Sequence, residues 1–295
     1  MAEKTNPKIC DYEGSSYQSE FWETGGRAYE DLAEAIALRR LLPGSGRLLL
    51  EAGAGAGRNT PRYKGYDRVV LLDYSVTQLQ QAQERLGRSE RYVYVAGDVY
   101  NLPFVTGLFD AATMIRVIHH LAEPENALAE IERTLGSGGA FILEYANKLN
   151  LKAIARYLLR LQDWSPFTPE PVEFVELNFN FHPRTMRRWL ETTGFDLRRQ
   201  LTVSHFRIGI LKKIIPARWL AAADSLASLT GDWWQVTPSV FTLSLAKRTK
   251  AQIPGGTFFR CPACSGSDFD RTAQGLACRT CGAGWPVEDG IYIFK

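Results

Sequence analysis

At 295 residues, with 45% hydrophobic and 23% charged residues, the chain can bury a full core and has room for one large domain and a small one. Its 35 basic and 32 acidic residues leave a net charge of +3, too even a balance to argue for nucleic acid by itself. No run approaches the ~18 to 20 apolar residues of a transmembrane helix, and residues 1–10 hold no apolar signal core, so the expected location is the cytoplasm.

Residues 1–26 form a polar leader with Tyr12, Tyr17, Phe21 and Trp22 scattered through it. A helix is predicted over 27–42, with Leu32, Ala35, Ile36, Leu38 and Leu42 on one face and Pro43-Gly44-Ser45-Gly46 as its stop. The leucines at 48–50 then read as a buried strand, which ends in Glu51 and in Gly53, Gly55 and Gly57 at every second position. Such a loop lets a ligand come close to the backbone. A dinucleotide loop of the form G-x-G-x-x-G would need glycine at 58, where Arg58 stands.

From here strands and helices alternate, the pattern of an α/β protein with a parallel sheet covered on both faces. Strands are predicted over 68–73, 92–96, 109–115 and 140–144, and helices over 76–86 and 124–135, with Pro124 in a first turn and Gly136 just past an end. Segments 195–203 and 240–246 supply a final antiparallel pair, for seven strands in all.

Two insertions break the scheme, at about 148–184 and 205–238. The first opens with a helix carrying Lys148, Lys152, Arg156 and Arg160 at steps of four beside Leu151, Ile154, Leu158 and Leu161. Such a stripe reads as a solvated face over a packed one, or as a contact surface for an anionic substrate or a membrane. The second holds Ile208, Ile210, Leu211, Ile214, Trp219 and Leu220, which wall a pocket or form a satellite core. Residues 251–256 read as a linker.

Four of the five cysteines follow it as Cys261-x-x-Cys264 and Cys278-x-x-Cys281, while Cys10 stands alone. In a reducing compartment this spacing points to a structural four-thiolate zinc ribbon, in which metal supplies the folding energy that ~35 residues cannot.

The spacing E-x-G-x-G-x-G at 51–57 resembles that of the class I S-adenosylmethionine (SAM) dependent methyltransferases. So do the run 96–103, with Gly97-Asp98-Val99, and the strand 109–115 followed by Arg116, His119 and His120. The resemblance spans about residues 20–250 and implies a Rossmann-like seven-stranded sheet that binds SAM at the C-terminal strand tips. In that frame Asp73 accepts from two ribose hydroxyls, Tyr74 lies against the adenine, and Asp98 and Val99 hold the ring. Backbone at Arg116 lines the amino-acid end, Glu51 binds the ammonium directly or through water, and Arg27 is a candidate for the carboxylate. His119 and His120 are the candidate general bases, with His182 after them. Residues 1–26 correspond either to a lid over the site, as the resemblance implies, or to a leader whose aromatics are packing anchors.

The tail Trp285-Pro286-Val287-Glu288-Asp289-Gly290-Ile291 resembles the small zinc-ribbon activator of methyltransferases that act on transfer RNA, ribosomal RNA and release factors. The resemblance implies a docking platform at 251–295, fused to a methyltransferase domain at 27–250. The ribbon's Arg260, Arg271, Arg279 and Lys295 are offset by Asp268, Asp270, Glu288 and Asp289, which is no footprint for a phosphate backbone. The expected function is methyl transfer to a small, largely apolar metabolite, because the insertions are rich in tryptophan, phenylalanine and aliphatics. The rivals are an RNA or protein acceptor, and a SAM-binding or partner-binding protein without catalysis; DNA is not expected.

Overall fold

The computed structural model describes residues 13–14, 26–250 and 257–295, so the expected lid over 1–26 lies almost wholly outside the described residues. Helix α1 (Ala28–Leu41) leads into β1 (Gly46–Ala52), β2 (Tyr66–Asp73), α2 (Val76–Leu86), β3 (Tyr92–Gly97) and β4 (Phe109–Met114). Then come α3 (Pro124–Thr134), β5 (Leu135–Ala146), α4 (Leu151–Leu158), the hairpin β6 (Val172–Val175) and β7 (Asn178–Asn180), and α5 (Pro183–Thr193). Strand β8 (Phe195–Val203), α6 (Gly209–Ile214), α7 (Ala217–Ala227) and β9 (Ser239–Ala246) complete the large domain. The module beyond 256 holds β10 (Phe269–Thr272), β11 (Gly275–Cys278), β12 (Gly284–Glu288) and β13 (Ile291–Phe294).

The seven strands predicted from the sequence lie in the order β3-β2-β1-β4-β5-β9-β8, parallel from β3 to β5 and closed by the antiparallel pairs β5·β9 and β9·β8. The strands of the large domain are close to those expected, except that β5 runs back to Leu135. Leu135 caps α3 in extended conformation and the chain pairs at once with β4, so Gly136 lies inside a strand rather than in a turn. Val69, Val70, Leu71 and Leu49 are completely buried, as both faces of a covered parallel sheet require.

The cysteine module is not a separate bead. Strand β13 pairs in parallel with β3, Ile291 opposite Tyr94 and Phe294 opposite Gly97, which makes one sheet of 11 strands. An aromatic cluster seals the junction: Phe259 lies 4.9 Å from Phe294 and 6.2 Å from Phe104, ring centre to ring centre. The edge of β3, which would otherwise present unpaired amides to solvent, is thereby covered.

Two expectations about faces are corrected. The buried face of α1 is Tyr29, Glu30, Ala33, Glu34, Ala37, Leu38 and Leu41, while Leu32 is exposed; charged partners from other elements bury the acids. In α4 only Ala153 is buried, and Leu151 and Leu158 face outward, so the helix does not cover a packed face. Lys148 is not part of its basic stripe. It lies buried before the helix and donates to Thr168 Oγ1 at 3.1 Å and to the Glu170 carbonyl at 2.7 Å. Among the described residues no helix is long and apolar enough to cross a membrane.

Candidate functional site

The C-terminal tips of β1 to β4 bring the expected residues together. Gly53, Gly55 and Gly57 all have positive φ, but for different neighbours. A Cβ on Gly53 would lie 2.1 Å from Val117 Cγ2 and one on Gly57 2.8 Å from Leu86 Cδ1, whereas one on Gly55 would meet only Gln78 Oε1 at 3.7 Å. Close packing requires glycine at the outer two positions. The middle one faces open space, as a loop approached by a ligand would.

Asp73 fixes this loop from the next strand. Its Oδ2 accepts from Gly55 N at 2.8 Å and its Oδ1 from Ser75 N at 3.0 Å. The cap of α2 is Ser75, whose Oγ accepts from Gln78 N, so the helix does not need Asp73 as its cap. Glu13, from the leader, accepts from Val76 N and Thr77 N at 3.0 Å each, which sets it on the same helix end. Tyr74 carries Lys295 Nζ 4.5 Å from its ring centre, and the same amine donates to the Tyr74 carbonyl at 2.8 Å. A residue that follows β13 thus reaches the candidate cofactor site.

After β3, Asp98 is half-buried and accepts from Tyr100 N at 2.8 Å; burial raises its carboxyl above the usual range. Val99 packs on the core beside it. The loop that follows is stitched to the cysteine module: Asn101 Nδ2 donates to the Pro262 carbonyl, Arg260 N to Pro103, and Val105 N to Phe258.

At the other end of the cleft Arg116 has φ +61°, a conformation that side chains rarely adopt, and its N–H donates to Glu144 Oε2 at 3.0 Å. Its guanidinium pairs with Glu34 of α1 at 2.9 Å, and Glu34 also takes Arg58 at 2.7 Å. Burial pushes Glu34 up, but Arg116 and Arg58 more than offset it, and the carboxyl stays below its ordinary value. Neither Glu34, Glu144 nor the role of Arg58 was read from the sequence. The available signal was Glu30 and Glu34, one turn apart on the face with Tyr29 and Ala33. Arg27 stands at the start of α1, where its carbonyl accepts from Asp31 N.

Glu51 is buried in β1, where it accepts from Thr60 Oγ1 at 2.6 Å and Tyr63 OH at 3.2 Å. Burial pushes its carboxyl up to about 7. The folded chain therefore holds a proton that the unfolded chain releases near pH 4.5. Stability from this group is full below that value and is lost as pH rises through 7, by about 3 kcal/mol in all. Glu51→Gln should remove this slope, so that between pH 5 and 8 the urea midpoint of the wild type falls relative to the variant. An equal deficit of the variant at both pH values would mean that Glu51 stays ionised.

The rings of His119 and His120 lie 4.2 Å apart, centre to centre, and tilted by 49° on the turn Ile118–His120. Burial, then the neighbouring His120 and Arg116, hold the buried His119 well below its ordinary value, and its Nδ1 meets no hydrogen-bond partner among the described residues. His120 Nδ1 lies 2.9 Å from the Leu177 carbonyl in the β6–β7 hairpin of the first insertion. A carbonyl can only accept, so Nδ1 carries the hydrogen and Nε2 is the basic nitrogen of the neutral ring. His182 instead caps α5 through Nδ1. A His–carboxylate pair, unforeseen, joins His205 Nδ1 to the buried Asp224 of α7 at 2.7 Å, with Tyr29 OH on the same oxygen.

In the C-terminal module, the four Sγ atoms of Cys261, Cys264, Cys278 and Cys281 lie within 4.8 Å of one another, with Cys261 to Cys281 at 3.7 Å and Cys264 to Cys278 at 3.5 Å. A tetrahedron with metal–sulfur bonds of about 2.3 Å has edges of about 3.8 Å, so the four thiols fit one zinc ion. A groove of about 760 Å³ between the module and the N-terminal ends of β1 to β3 holds none of the expected site residues.

Residues 50–143 match the family model described as a methyltransferase domain. The chain is similar to the demethylmenaquinone methyltransferase of Clavibacter sepedonicus, 25% identical over 213 residues that make up 68% of this chain and 86% of that one. It is also similar to an uncharacterized chloroplastic methyltransferase of Arabidopsis thaliana, 32% identical over 140 residues, 44% of this chain; the match spans only 39% of that relative's length. Among solved structures it shares its fold with a chain from the complex between the Haloferax volcanii Trm112 methyltransferase activator and a methyltransferase, at TM-score 0.56 and 17% identity over 79% of this chain and 97% of that one. Burkholderia thailandensis 1,6-didemethyltoxoflavin-N1-methyltransferase, bound to its substrate and S-adenosylhomocysteine, overlaps at TM-score 0.51 and 19% identity over 79% and 84%.

Proposed function

We propose, from the premise that this chain carries a SAM-dependent methyltransferase domain, that it transfers a methyl group from SAM to a small, largely apolar acceptor. The observation that supports the cofactor best is the junction at Asp73. One carboxylate closes the glycine loop and stands at the strand tips where a ribose would lie. In this reading Asp73 and Tyr74 take the nucleoside, Asp98, Val99 and Gly97 the adenine, and Gly53, Gly55, Gly57, Glu51 and Arg116 the methionine end.

SAM supplies an electrophilic methyl group, and the chain supplies orientation and exclusion of water. His120 accepts the acceptor's proton at Nε2, held in that tautomer by the Leu177 carbonyl. Burial keeps its pKa below the ordinary 6.5, so the ring is already neutral at pH 7 and the rate should be flat from there upward. The named relatives act on demethylmenaquinone and on 1,6-didemethyltoxoflavin, both small molecules, which supports an acceptor of that class.

The test is isothermal titration with SAM, followed by transfer of labelled methyl to a panel of small apolar hydroxy and amino compounds. His120→Ala should keep SAM affinity and lose about a hundredfold or more in kcat. An unchanged kcat would remove His120 as the base. SAM binding without turnover on any acceptor would favour the non-catalytic reading.

Zinc is proposed as a structural ion of the four cysteines. An RNA or protein acceptor is the second reading, drawn from the shared fold with a chain of the activator complex. The ribbon's cations argue against RNA: Arg279 is paired with Asp268 and Asp270, Arg260 faces Glu130, and Lys295 lies on Tyr74. Methylation of total RNA with a steep salt dependence would establish that reading instead.

A further inference from the structure

The two insertions carry many exposed apolar side chains on which nothing among the described residues packs. Helix α7 is apolar on opposite sides. Leu220 and Ala221 are buried, while Trp219, Ala222, Ala223 and Leu226 point away, with Trp219 62% and Leu226 71% exposed. A helix apolar on both faces is ordinarily covered on both. The chain that follows adds Trp233 and Trp234, 77% and 67% exposed. On α6, Ile210 and Ile214 are exposed one turn apart beside Lys213. In α4, Leu151 and Leu158 lie outward next to Lys152 and Arg156.

The two insertions are joined at one point. Leu151 N donates to the Val236 carbonyl at 2.9 Å and Asn147 Nδ2 to Gln235 at 2.9 Å, so α4 begins where the Trp233-Trp234 segment ends. The insertions leave the sheet from β5 and β8, both antiparallel to β9, so they emerge on the same rim as the glycine loop. Over 148–163 and 205–236 the exposed charge is one-sided, whereas Glu170, Glu173 and Glu176 are exposed in the rest of the first insertion. Lys152, Arg156, Arg160, Arg207, Lys213 and Arg218 are exposed, against only Asp163 and Asp232 among the acids of 148–163 and 205–236.

We propose that the exposed surface of 148–163 and 205–236 docks on an anionic lipid surface, with the tryptophans and leucines in the interfacial layer and the six cations among the headgroup phosphates. Aromatic and aliphatic side chains interleaved with lysine and arginine are what such an interface takes up. A second copy fits less well, because a two-fold contact sets each patch against itself and opposes the cations to one another. The docking does not depend on which acceptor is methylated.

The experiment is co-sedimentation of the full chain with vesicles of phosphatidylcholine alone and of phosphatidylcholine with 30% phosphatidylglycerol, at low and at physiological salt. The expected result is binding to the anionic vesicles only, weakened severalfold by salt, with a blue shift of tryptophan emission. Trp233→Ser with Trp234→Ser should lower the partition coefficient at least tenfold. Its SAM affinity should stay unchanged, which shows that the fold is intact. Absence of binding at low salt, equal binding to both vesicle types, or equal binding by the double variant would each overturn the proposal. So would a dimer in light scattering that the same variant dissolves, since the face would then be an interface between copies.

Discussion

Asp73→Ala is expected to weaken SAM binding by a hundredfold or more while the protein stays folded. A hydrogen bond to a charged acceptor contributes about 1.5 to 3 kcal/mol, and the variant removes two from the ribose. It also frees Gly55 N and Ser75 N, so the loop must find its bound shape without its tie to β2. Asp73→Asn keeps one acceptor oxygen for the loop and should fall between the two. Titration calorimetry gives the dissociation constant and circular dichroism the fold. A wild-type constant in the alanine variant would end the ribose assignment.

Cys278→Ser should remove zinc and take the module's order with it. Three thiolates leave the tetrahedron open, and a module of this size depends on metal for a large part of its folding energy, with apparent binding energies of about 10 to 16 kcal/mol in small zinc domains. The damage should spread, because β13 covers the edge of β3 and residues 258–262 hold the loop after Asp98. We expect metal content to fall from one ion per chain to none, the melting temperature to drop, and aggregation through the bared edge of β3. SAM affinity should drop severalfold, since Lys295 no longer lies on Tyr74. Metal analysis that still finds one zinc per chain would refute the four-sulfur site.

The parallel part of the sheet was legible because buried strands carry their own signature: leucines and valines without alternation, ended by glycine or acid. The motifs at 51–57, 73 and 97–99 fell on strand tips for the same reason. The face of α1 was not legible. Hydrophobicity selects Leu32, but Arg58, Arg116 and Lys212 make Glu30 and Glu34 the better residues to bury, and no local pattern announces partners that lie 24 to 182 positions away. The same limit hid Lys148, which looks like one step of a stripe until Thr168 and Glu170 enclose it. His205 with Asp224 was missed likewise, although an acid on the apolar inner face of α7 was a usable sign.

The pairing of β13 with β3 joins two parts of a single polypeptide through a connection of about ten residues. A short tether holds its ends at an effective concentration in the millimolar range, so their association does not weaken on dilution. Two separate proteins meeting through the same strands would come apart at low abundance and would need matched synthesis. Here the stoichiometry is fixed at translation, and the pair persists at any concentration at which the chain itself is folded.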